Sequence, residues 1–89
     1  MSHSQVSSSQ IRAARALLDI SSEELSKLSG VGWATIRRFE QADGVPRTRL
    51  GTLSRVIEAL EAAGIEFIGD PMCSPGVRLA DAADDEKQA

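Results

Sequence analysis

Positions 33 to 41 read Trp-Ala-Thr-Ile-Arg-Arg-Phe-Glu-Gln. On a helix with Trp33 at the origin, Arg37 falls at about 40°, Gln41 at about 80°, Ala34 at about 100° and Arg38 at about 140°. Phe39 and Ile36 fall on the other side, at about 240° and about 300°. One face is thus apolar, and the other collects two guanidinium groups, a carboxamide, an indole and a methyl group. These groups suit the edges of bases in a DNA major groove. Arginine offers paired donors to guanine, glutamine suits adenine, and alanine touches a thymine methyl. A plainer alternative stands beside this one: Arg37, Arg38 and Gln41 form the solvated face of an amphipathic helix. Trp33 has its own alternative, because large apolar surface prefers burial. Its indole can fold back onto the core or onto a partner.

A helix that reads bases needs others to hold it. Upstream, Ser21-Ser22-Glu23-Glu24 has the capping-box pattern, with Ser21 as N-cap and Glu24 three positions on. The helix that follows runs to about Ser29, with Leu25 and Leu28 facing inward, and Gly30 ends it in a left-handed turn. The next helix runs from near Gly32 to near Ala42. An earlier helix is expected from near Gln10 to Leu18, capped by Ser9, with Ile11, Ala14 and Leu18 on one face. Asp43-Gly44-Val45-Pro46 is a loop by composition. A fourth helix begins between Thr48 and Gly51 and ends at Gly64, with Leu50, Leu53, Val56, Ile57, Leu60 and Ala63 as its apolar stripe.

Ser22 to Glu40 therefore presents two helices joined by a glycine turn, the helix-turn-helix arrangement whose second helix enters the major groove. Over residues 10–60 the chain resembles the Cro/C1-type helix-turn-helix family, also called Xre, of phage repressors and bacterial regulators. Leu25, Gly30-Val31, Ile36 and Phe39-Glu40 carry that resemblance. It implies a mainly α, lambda-repressor-like domain of four or five helices, with the third as the reading helix. It also implies a structural ion pair between Arg15 and Glu40. The loop before the fourth helix lies beside the DNA backbone in this family, so Arg47 and Arg49 would hold phosphates, which positions without specifying. An ordinary charged loop is the alternative. Arg12 and Lys27 would reach flanking phosphates. The chain departs from the family at two places. Ser22 stands where a glutamine is common, and Gly32 followed by Trp33 stands where serine or threonine often opens the helix. Backbone N–H groups at these helix starts remain available to phosphate.

The segment after Gly64 changes character. Ile65 to Ile68 reads as a short strand, Gly69 to Pro75 as a loop, and Gly76 to Leu79 as a second strand able to form an antiparallel pair. Ile65, Phe67 and Ile68 place apolar side chains on both faces, and a lone two-stranded ribbon is not stable in water. Pairing across a two-fold axis is favoured, which would make a homodimer; a hairpin folded on its own helices is the alternative. A dimer suits a palindromic site read by two helices roughly 34 Å apart.

The chain of 89 residues is one domain. Its charge is segregated: up to Arg55, eight arginines and lysines face five carboxylates, and beyond it two face eight. The net charge of −3 conceals a basic first part, and DNA responds to the local field. Residues 1–8 read as a flexible tail, 9–64 as the DNA-binding domain, 65–80 as the dimerisation segment and 81–89 as an acidic tail. Cys73 and His3, each the sole residue of its type, rule out a disulfide within the chain and build no zinc site. Nothing resembles a signal peptide or a membrane span, so a cytoplasmic location is expected. No cofactor is expected. No catalytic motif is present: Gly30-Val31-Gly32 lacks the strand and third glycine of a nucleotide-binding loop, and Ser21 and Ser22 serve as caps. The sequence thus points to a regulator that binds double-stranded DNA, a repressor by steric exclusion. An antitoxin that also wraps a toxin, or an adaptor without DNA binding, are the alternatives.

Overall fold

The computed structural model describes residues 5–49 and 51–80. Its order is α1 (Ser8–Leu18), α2 (Ser22–Ser29), α3 (Trp33–Gln41), α4 (Thr52–Ala62), β1 (Ile65–Ile68) and β2 (Gly76–Leu79). The domain is mostly helical and closes with a short antiparallel hairpin. Leu50 and residues 81–89, expected in the stripe of the fourth helix and in the acidic tail, lie outside the described residues, as do residues 1–4 of the expected N-terminal tail.

The start of α1 corrects the sequence reading. Ser7, not Ser9, is the N-cap: its Oγ accepts from the Gln10 N–H at 3.2 Å, and Gln10 Oε1 accepts from the Ser7 N–H at 2.9 Å. Val6 just before this cap and Ile11 just after that box are fully buried, the positions of a hydrophobic staple. Residues 6–8 therefore belong to the packed domain rather than to a loose tail. At the other end, Asp19 adopts a left-handed conformation and closes the helix. The Ser21–Glu24 capping box of α2 forms as expected, with Gly30 left-handed at its end.

The core joins Val6, Ile11, Ala14, Leu25, Val31, Ile36, Phe39, Leu53, Val56, Ile57, Leu60, Ile65 and Phe67. Leu28 and Ala63, expected inside, are exposed; Leu28 is 57% accessible. With only eight residues, α2 completes about two turns and buries a single residue, Leu25. Its apolar face is narrower than the periodicity suggests.

The hairpin pairs Ile65 with Leu79, Glu66 with Arg78, Phe67 with Val77 and Ile68 with Gly76. The two strands therefore pair with each other within one chain, the hairpin folded on its own helices that stood as the alternative. β1 packs on α4 and β2 on α1, so Ile65 and Phe67 are consumed by the chain's own core. Ile68 alone of the three faces outward, at 45% exposure. Gly69 permits the turn: at φ +76° a side chain would be strained, and a Cβ there would stand 1.8 Å from the Ser74 carbonyl oxygen. Among the described residues no helix is long and apolar enough to cross a membrane.

Candidate nucleic-acid interface

The turn between α2 and α3 is fastened by serines. Val31 is buried there, and both of its backbone groups must find partners. Ser26 Oγ donates to the Val31 carbonyl at 2.6 Å, and Ser29 Oγ accepts from the Val31 N–H at 3.2 Å while donating to the Leu25 carbonyl at 2.8 Å. Sequence reasoning passed over Ser26 and Ser29. Their signal was two hydroxyls within reach of a turn whose central residue is apolar.

α3 is fixed from behind. Ile36, Phe39 and Glu40 are buried, and α3 packs on both α1 and α2. Arg15 of α1 grips Glu40 through two parallel bonds, Nε to Oε2 at 2.8 Å and Nη2 to Oε1 at 2.9 Å, and a third nitrogen donates to the Ile20 carbonyl at 3.2 Å. The hydrogen bonds that Arg15 donates to the Glu40 carboxylate raise the Arg15 pKa above the usual arginine value, against the smaller opposing effect of burial. This is the pair implied by the family resemblance. Arg12, expected near flanking phosphates, donates to the Glu40 backbone carbonyl at the end of α3.

The outward face of α3 carries Trp33, Ala34, Arg37, Arg38 and Gln41, all exposed, as the helical angles predict. Gly32 is the exposed N-cap of α3 and offers no side-chain bond to the helix start. Trp33 is half exposed, at 50%. It folds neither into the core nor wholly into solvent. Its Nε1 donates to Ser22 Oγ at 3.0 Å, linking the first residues of α2 and α3, and the Arg37 guanidinium lies 5.6 Å from the indole centroid. Ser22, Trp33 and Arg37 therefore form one continuous surface across the turn. Lys27 is exposed on α2.

Beside α3, Arg38 faces Arg47 and Arg49 across an open cleft of about 490 Å³ that also holds Thr35, Thr48 and Thr52. Among the described residues no carboxylate lines it. Thr52 opens α4, whose N-cap is Gly51 and whose first turn carries neither a side-chain cap nor an acidic residue. Three cations and a helix start at one concave place attract an anion, since helix N-termini carry partial positive charge. Among the described residues the ion pairs are Arg15–Glu40 and Arg78–Glu66, so Arg37, Arg38, Arg47 and Arg49 are not neutralised by a described carboxylate. No group of His, Cys, Asp and Glu among the described residues could hold a metal ion. The chain matches no family model and no curated protein.

Proposed function

We propose that this protein is a sequence-specific DNA-binding regulator with a lambda-repressor-like helix-turn-helix domain of the Cro/C1 type, acting as a repressor. The observation that carries the reading is the cationic surface of α3 and its neighbour. Arg37, Arg38 and Gln41 project from a helix packed on its other side, and Arg38 shares a cleft with Arg47 and Arg49 that no described carboxylate lines. A solvated helix face needs no such concentration of cations, and like charges brought together repel unless an anion joins them.

In this reading α3 lies in the major groove. Arg37 and Arg38 give paired hydrogen bonds to guanine, Gln41 meets adenine, and Ala34 faces a thymine methyl. Arg47, Arg49, Ser22 and the N–H groups beside Gly32 hold the phosphates. Two copies related by a two-fold axis read an inverted repeat, with contact through the outer side of the hairpin at Ile68; Ile65 and Phe67 support it from within. Bound protein then blocks access to the site.

Selection of the wild-type protein against random duplex DNA, repeated with Arg37→Ala/Arg38→Ala, tests the proposal. The expected result is an enriched inverted repeat that the double variant no longer selects. A wild-type protein that enriches no sequence would refute it. Enrichment of a single half-site would leave the reader in place and remove the dimer.

A further inference from the structure

On the reading of α3 just given, we propose that Trp33 is a specificity-determining residue that recognises the 5-methyl group of a pyrimidine beside the guanine held by Arg37. The inference starts from what Trp33 has left to offer. An indole has one polar group, its N–H donor, and that donor is engaged by Ser22 Oγ at 3.0 Å. One face of the ring is covered by the Arg37 guanidinium. Half of the residue nevertheless remains accessible, and what it exposes is apolar.

The edges of bases in the major groove are mostly donors and acceptors, and the methyl group that projects among them is the C5 methyl of thymine. An apolar ring set against a donor or acceptor strips it of water without replacing the hydrogen bond, which is unfavourable. Set against a methyl group, the same ring gains apolar burial. The position is also held. The Ser22 bond ties the indole to the start of α2, and the guanidinium above the ring ties it to the next turn of α3. This cation–π contact uses the charge of Arg37 and leaves its N–H donors free for guanine O6 and N7. Trp33 and Arg37 stand one helical turn apart, about 6 Å, against a base-pair rise of about 3.4 Å. The methyl and the guanine therefore fall within one or two base pairs of each other.

The test uses the duplex that wild-type protein selects, with each thymine replaced in turn by deoxyuridine, which lacks only the methyl. Binding is measured for wild type, Trp33→Ala, Trp33→Phe and Ala34→Gly. The expected result is a position in each half-site, next to or one pair from a guanine and distinct from the thymine read by Ala34, where loss of the methyl weakens wild type about three- to tenfold. Trp33→Ala should bind the duplexes with and without that methyl equally. Trp33→Phe, which keeps an apolar ring but loses the bond to Ser22, should retain part of the preference, and Ala34→Gly should lose methyl sensitivity at its own thymine while keeping it at this position. Wild-type affinity indifferent to every methyl would overturn the proposal while the regulator reading stands. So would a methyl preference that at every position survives Trp33→Ala and disappears in Ala34→Gly. A wild-type protein that selects no duplex would remove both readings together.

Discussion

At the scale of single residues, the pair of Arg15 and Glu40 decides where α3 stands. Glu40 is 5% exposed, whereas about a quarter of the Arg15 side chain reaches solvent. The two truncations should therefore differ. Arg15→Ala strands a buried carboxylate and is expected to cost about 3 kcal/mol. Glu40→Ala leaves an arginine that can turn to water, and should cost about 1–2 kcal/mol. Urea unfolding of the two variants measures the difference; equal losses would mean that the pair acts only through packing. The upward shift of the Arg15 pKa sets the pH sense of its contribution. A raised folded-state value makes that contribution complete below the ordinary arginine pKa and lost only as pH rises through the higher one. Unfolding across neutral pH should show no step from Arg15.

At the scale of elements, Gln10 joins the first helix to the last strands. Its side-chain oxygen completes the α1 capping box, while its Nε2 donates to the carbonyls of Ile68 at 3.2 Å and Gly76 at 2.9 Å. A two-stranded hairpin is marginal alone, and this link anchors both strands where the loop leaves them. Gln10→Ala is expected to cost about 2–3 kcal/mol, because it leaves the buried Ser7 N–H and two part-buried strand carbonyls without this partner. Amide exchange should quicken in β1 and β2 more than in α2 and α3. Leu28→Ala, by contrast, should change stability by less than about 0.5 kcal/mol, since an exposed side chain loses little. Of the two capping boxes, the second, Ser-Ser-Glu-Glu from Ser21, was read from the sequence, and the first, Ser-Ser-Ser-Gln from Ser7, was not. The first was hidden by the polar run around it, which resembles a tail by composition until Val6 is seen to be buried.

At the scale of the whole molecule, charge is distributed against its own total. The net charge is −3, yet Arg38, Arg47 and Arg49 converge on one cleft. Local field governs association with a polyanion, and each phosphate contact releases counterions. Arg47→Ala and Arg49→Ala should each weaken DNA binding by a similar factor on every sequence. Each should also flatten the dependence of log affinity on log salt by about 1. Salt titrations on the selected duplex and on an unrelated one measure this. A change of preferred sequence, with an unchanged salt slope, would place these arginines at the bases instead of the backbone.

The order of the four helices, the glycine turn after α2, the apolar and polar faces of α3 and the two strands were all determined by the sequence, while the resemblance left four or five helices open. Each depends on residues close together in the chain, through helical period, capping or turn geometry. Four matters were decided only by the tertiary structure. Val6 enters the core because helices distant in sequence leave a space there. Leu28 stays outside because no described element covers that side of α2. Ile65 and Phe67 turn inward because α4 and α1 supply the surface on which the hairpin lies. Trp33 meets Ser22 because the turn folds two helix starts together, eleven positions apart. Periodicity can say which face of an element is apolar, but what covers that face depends on parts of the chain that come together only on folding.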